Sequence, residues 1–196
     1  MGWDLKWKFY SEECLQGSTK VLKEESTRFD TGSSFYSMKM KAIWKMVWQL
    51  ECPGEIKHFM WRACKNIFPT RNRLKSRGVG CEDCYALCGA SETSGHILWD
   101  CTFAKEIWSR SKIKLPALPK PVNEFLNLVW VVVDSCPNVN WVLFAVTAWS
   151  LWNNRNTMIH GGQSKGKEGL IKSVAGYVEE IKREKIVQRR THSSAA

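Results

Sequence analysis

Residues 80–101 read GCEDCYALCGASETSGHILWDC, which places Cys81, Cys84, Cys88, His96 and Cys101 on one short, turn-rich segment. Thiolates and an imidazole at such spacings can close a tetrahedral zinc shell. Ligand pairs two to four residues apart at one end and a His-x4-Cys pair at the other suit that geometry. Cys81-x2-Cys84 and Cys84-x3-Cys88 both satisfy the first pair, and His96-Ile-Leu-Trp-Asp-Cys101 supplies the second. Gly80 and Gly89 allow the sharp turns that a metal loop needs. With four protein ligands the ion has no open position, so the spacing predicts structural Zn2+ rather than a catalytic centre. Glu92, the one acidic residue strictly between Cys88 and His96, is expected in the turn. The H-x-E and P-C-x-x-C combination of zinc deaminases is absent.

Upstream of the cluster the chain turns basic. Residues 54–80 contain Lys57, Arg62, Lys65, Arg71, Arg73, Lys75 and Arg77 against the single Glu55, within a net charge of +10. Such a concentration next to a metal loop suits a polyanion, RNA or DNA. Pro53-Gly54 opens a helix expected over residues 55–68, with Ile56, Phe59, Met60, Ala63, Cys64 and Ile67 on one face and His58, Arg62 and Lys65 on the other. Pro69 ends it, Thr70 can cap a short helix RNRLKSR, and Gly78 stops that one. Before them, residues 38–50 (MKMKAIWKMVWQL) carry Met40, Ile43, Trp44, Val47 and Trp48 as an apolar stripe. Residues 1–37 show weak periodicity and read as a poorly defined segment of loop and short strand.

Downstream, TFAKEIWSR reads as a helix with Phe103, Ala104, Ile107 and Trp108 turned inward. Residues 112–121 hold three prolines within the 196-residue chain's six and form the clearest linker. Two apolar helices follow within 122–160. Glycines at 161, 162 and 166 then separate them from a polar helix, roughly residues 170–187, in a basic C-terminal segment over 161–196. The apolar runs 125–133 and 141–152 are shorter than the about 18 residues that cross a bilayer, so buried helices, and no membrane partner, are expected. The N-terminus lacks the apolar core of a secretory signal. Eight cysteines without one suit reduced thiols and a nuclear or cytoplasmic protein. The 11 tryptophans read chiefly as packing anchors. The expected fold class is mainly α: a small helical domain with a zinc-stapled loop over 38–111, then a helical extension.

Trp44, Trp48, Pro53, the run Ile56-Lys57-His58-Phe59-Met60-Trp61-Arg62-Ala63, then Phe68-Pro69-Thr70, Leu74 and Arg77-Gly78 form one long ordered pattern with Cys88-Gly89, Glu92, His96, Cys101, Ala104 and Trp108. It resembles the zinc-binding domain that follows the reverse transcriptase in plant LINE-type (non-LTR) retrotransposons, over roughly residues 38–108. Residues 148–156 resemble the stretch that leads into RNase H in such elements. The resemblance implies Cys88, His96 and Cys101 as ligands, and Cys84 ahead of Cys81 as the fourth. Members of that family usually read C-x2-C-G, and here Tyr85 stands in the place of the first cysteine. It also implies a module that helps a retroelement polyprotein hold RNA or DNA, with other domains of that polyprotein as further partners.

No Tyr-x-Asp-Asp run and no RNase H carboxylate set is present, so a stand-alone, non-catalytic fragment is expected. Cations of both basic helices, His58, Arg62 and Lys65 from one and Arg71, Arg73, Lys75 and Arg77 from the next, would meet phosphates. The alternatives are a protein-interaction or scaffold piece and a decayed reading frame without selected function.

Overall fold

The computed structural model describes residues 33–115 and 121–193. Of the segment expected as loop and short strand over residues 1–37, residues 1–32 lie outside the described residues, as do residues 116–120, half of the proline-rich linker. By its contacts the chain forms two compact units, Met1–Met46 and Val47–Ala196. The described part of the first unit is helix α1 (Ser33–Gln49), which runs on into the second. It begins before residue 38, since SSFYS contains no proline or glycine to break it. Met40, Ile43 and Trp44 are buried at helical spacing.

In the second unit, α2 (Gly54–Cys64) is followed by α3 (Arg71–Ser76), α4 (Thr102–Arg110), α5 (Phe125–Ser135), α6 (Trp141–Ile159) and α7 (Lys167–Ser193). A five-residue π-helical turn, His96–Asp100, precedes α4. Among the described residues the fold is mainly helical, and the one β feature is an isolated antiparallel bridge between Cys84 and Ser91.

Helix α6 is the hub. It packs against α2, α4, α7 and the π-helical turn. Phe144, Ala145, Val146, Thr147, Ala148, Ser150, Leu151 and Trp152 are all buried, so its apolar residues run around the helix rather than along a stripe. Asn140 caps it by accepting from the Leu143 N–H at 3.0 Å. Its aromatic side chains extend the core: Phe68 stacks on Trp152 at 4.1 Å, and Phe144 lies 5.1 Å from Trp108. Among the described residues no helix is long and apolar enough to cross a membrane.

Several sequence expectations shift in detail. The helix expected over 55–68 ends at Cys64, because Asn66 takes a positive φ of 50° and turns the chain. Ile67 then leaves the helical register and is exposed, while Ile56, Phe59, Met60, Ala63 and Cys64 are buried as their spacing requires. Thr70 caps α3 by accepting from Arg73 N–H, and Gly78 (φ 80°) follows its end, both as expected. Helix α4 spans TFAKEIWSR as read, although Phe103 is half-buried rather than inward. The last helix is longer than its apolar pattern suggested.

Candidate metal centre

The loop between α3 and α4 is shaped by a tight reversal. The Tyr85 N–H donates to Ala90 O at 2.7 Å and the Glu92 N–H to Asp83 O at 2.7 Å, which pairs two short extended arms. Between them, the Cys88 and Gly89 N–H groups both donate to Tyr85 O, at 3.1 and 2.8 Å. Gly89 has φ 75°, a conformation open to glycine at no steric cost. This reversal brings Cys88 back toward the start of the π-helical turn, where His96 is anchored by donation from its N–H to Thr93 Oγ1.

Cys88, His96 and Cys101 meet there, their ligand atoms all within 4.8 Å of one another. Cys88 Sγ lies 3.0 Å from His96 Nε2. Zinc bonds of about 2.3 Å to sulfur and about 2.0–2.1 Å to nitrogen require donor–donor edges of about 3.5–3.8 Å. The trio is therefore close to the size of a zinc shell, and its donor chemistry fits the ion. Burial holds the His96 pKa below the usual imidazole value, which keeps the ring neutral and able to ligate. Burial raises the Cys101 thiol, so a metal has to displace its proton.

The other two expected ligands stand elsewhere. Cys84 is exposed, on the backbone bridge to Ser91. Cys81 is half-buried, and its thiol is directed at Arg71 O, 3.8 Å away. Tyr85 is buried and meets the His96 ring edge-on, with centroids 5.9 Å apart and planes at 83°. Burial, reinforced by the nearby Cys101 and Glu92, pushes its phenol well above the ordinary tyrosine range.

Glu92 is not in an open turn, as expected from sequence, but fully buried. Its Oε1 accepts from the Arg71 N–H at 2.9 Å and forms an ion pair with Arg155 Nη2. Its carbonyl accepts from the Asn72 N–H at 3.3 Å. Arg155 in turn donates to Pro69 O and lies over the Trp152 ring. The physical reason for the difference is alternation along the extended arm: Ser91, on the bridge, is exposed, so its neighbour Glu92 is turned inward. Sequence reading missed Arg155, although a lone cation just beyond the apolar run 141–152 was its signal. A charge there requires a buried partner.

Gly95 was missed as well. A Cβ at this position would lie 1.8 Å from Val122 O, so only glycine allows Val122 and Asn123 to cross this close to residue 95. That crossing is fastened by Gly95 N–H to Asn123 O, by Val122 N–H to Asp100 Oδ2, and by Phe125 N–H to Ser94 Oγ. A cavity of about 560 Å³ opens beside it, lined by His96, Asn72, Arg73, Ser91, Thr93 and Asn123 among others.

The seven residues expected to meet nucleic acid are spread over α2, α3 and their ends. His58 is half-buried, edge-on to Trp48, and Arg62 lies over the Phe68 ring at 5.6 Å. Lys65 and Arg71 are half-buried. Arg73 has its Nε enclosed without an acceptor among the described residues. Lys75 is exposed and pairs with Asp83 at 3.3 Å, and Arg77 is exposed.

Residues 29–108 match a family described as zinc-binding in reverse transcriptase, which supports a reverse transcriptase zinc-binding domain over that part of the chain. Searches of curated proteins and of solved structures gave no match.

Proposed function

We propose that this chain is a non-catalytic, zinc-dependent module that binds RNA or DNA and derives from the reverse transcriptase polyprotein of a LINE-type (non-LTR) retroelement of the plant kind. The observation that carries the reading is helix α3. None of its residues is buried, yet it bears Arg71, Arg73 and Lys75 and is followed by Arg77. A six-residue helix with no apolar anchor is not stable by itself. Its backbone instead hangs on the metal loop through Arg71 N–H and Asn72 N–H to Glu92, with Asn72 Nδ2 donating to Ser91 Oγ at 3.3 Å.

Zinc in Cys88, His96 and Cys101 would supply a rigid closure for that loop, and this chain's own residues do the rest. The loop holds α3, and α3 presents its cations to phosphates. Binding of that kind is electrostatic and weakly sequence-dependent.

The test is fluorescence anisotropy of single-stranded RNA and DNA oligonucleotides across a salt series. Replacing Arg71, Arg73, Lys75 and Arg77 together by Glu should weaken binding by about tenfold or more at low salt. The slope of log affinity against log salt should also become shallower, by roughly 0.7 for each phosphate of a single strand that the variant no longer neutralises. Binding that survives the fourfold charge reversal unchanged contradicts the reading.

A further inference from the structure

The reversal at residues 83–92 decides which side chains can reach the metal. In extended backbone, successive side chains point to opposite faces, and residues facing each other across a bridge point to the same one. Cys84 and Ser91, the bridged pair, are both exposed. Their neighbours Tyr85 and Glu92 are both buried. Tyr85, the next residue after Cys84 on its arm, is the one that meets the His96 ring, so the Cys84 thiol is directed away from the face on which His96 stands. Bringing it around would require a one-residue slip of the pairing, which would expose Tyr85 and tear Glu92 from Arg71 and Arg155.

The tight turn has a second consequence. With Cys88 N–H and Gly89 N–H both bonded to Tyr85 O, residues 85 and 88 present their side chains to the same partner. Tyr85 reaches the His96 ring edge-on, and Cys88 reaches its Nε2. Position 85 is thus the flank from which a fourth protein donor would come, and it is filled by a phenol ring. Cys81 is turned to Arg71 O and offers no substitute.

We infer that this chain ligates its metal through three protein donors only, Cys88, His96 and Cys101, with Tyr85 beside them on the fourth flank and a small Lewis base such as water completing the shell. The inference rests on the zinc reading above and narrows it: the centre is an incomplete staple rather than a closed one, and a cysteine at position 85 completes it.

Cobalt(II) titration of the full chain tests this, because the thiolate-to-metal absorption scales with the number of sulfur donors. Two sulfurs are expected in the unaltered chain. Cys88→Ser and Cys101→Ser should each lower the band by about half, while Cys84→Ser, Cys81→Ser and Tyr85→Phe should leave it unchanged. Tyr85→Cys should raise it by about half and tighten zinc in a competition assay with a chelating dye.

A loss of about one third in Cys84→Ser or Cys81→Ser overturns the inference, as does a visible spectrum altered by Tyr85→Phe or an unaltered one in Tyr85→Cys. Because Cys84 is exposed, its replacement does not endanger folding. A chain that takes up no cobalt at all overturns the zinc reading together with this inference. Full uptake with three sulfurs overturns this inference alone.

Discussion

Glu92 and Arg155 form an ion pair across 63 positions of sequence, with the two side chains 0% and 5% exposed. Glu92 belongs to the metal loop and Arg155 to the hub helix α6, so the pair ties the loop to the core. Residues 29–108, which match the zinc-binding family, contain only one of the two partners. Removing one partner of a buried pair strands the other, at a cost of about 3–5 kcal/mol. Arg155→Met and Glu92→Leu should each destabilise the chain by about that amount in urea unfolding. The double variant should lose clearly less than the sum, since it leaves no unpaired charge. Additive losses would show that the pair is not coupled.

Gly95→Ala is expected to be costly although the residue has ordinary helical backbone angles. The added methyl would fall 1.8 Å from Val122 O, so the segment before α5 must move away from the π-helical turn. Destabilisation of about 3 kcal/mol is expected, in the upper range for overpacking. Gly78→Ala and Gly54→Ala serve as comparisons in the same thermal-unfolding series. Neither position has an atom within 4 Å of the added methyl, although Gly78 also has a positive φ. A Gly95→Ala chain as stable as Gly54→Ala contradicts the close crossing.

The helices were legible in the sequence wherever apolar spacing and breakers agreed. Pro53, Thr70 and Gly78 delimit α2 and α3, and the inward residues of α2 were correctly placed apart from Ile67. That residue failed because the left-handed turn at Asn66 has no strong one-residue signal. Spacing alone left Cys81, Cys84 and Cys88 open, and it was the family resemblance that singled out Cys88, His96 and Cys101, the three that lie together. What spacing does not carry is side-chain direction on a bridge: Cys84 and Tyr85 are adjacent and face opposite ways. The Glu92–Arg155 pair was out of reach for a different reason, since local periodicity says nothing about partners in another helix.

Thiol labelling should report the same directions. Cys84 and Cys88 are exposed, whereas Cys64 and Cys101 are buried, and burial pushes the Cys64 thiol up to about 12. In metal-free protein, iodoacetamide should modify Cys84 and Cys88 rapidly and Cys64 only on unfolding. Zinc should protect Cys88 and Cys101 while leaving Cys84 reactive. Mass spectrometry of tryptic peptides reads each site, and zinc protection of Cys84 would contradict the assigned geometry.

Histidine 58 gives a pH dependence. Burial, with a smaller contribution from the Arg62 charge, holds the His58 pKa below its ordinary 6.5. The unfolded chain therefore binds this proton more readily than the folded one. Stability from this group is fully present above pH 6.5 and is lost as pH falls through the lower folded value. In an NMR titration the His58 ring should show a midpoint below 6.5, moving upward in Arg62→Gln. A midpoint unmoved by that substitution would remove Arg62 as a cause.

The most direct test of the metal-held loop is zinc stoichiometry of the purified chain by elemental mass spectrometry, with His96→Ala, Cys88→Ser and Cys101→Ser alongside. The expected result is one zinc per chain, with loss of the ion in His96→Ala and strongly reduced retention in the two cysteine variants. Substoichiometric zinc in the unaltered chain, or zinc retained equally in all four proteins, would contradict it.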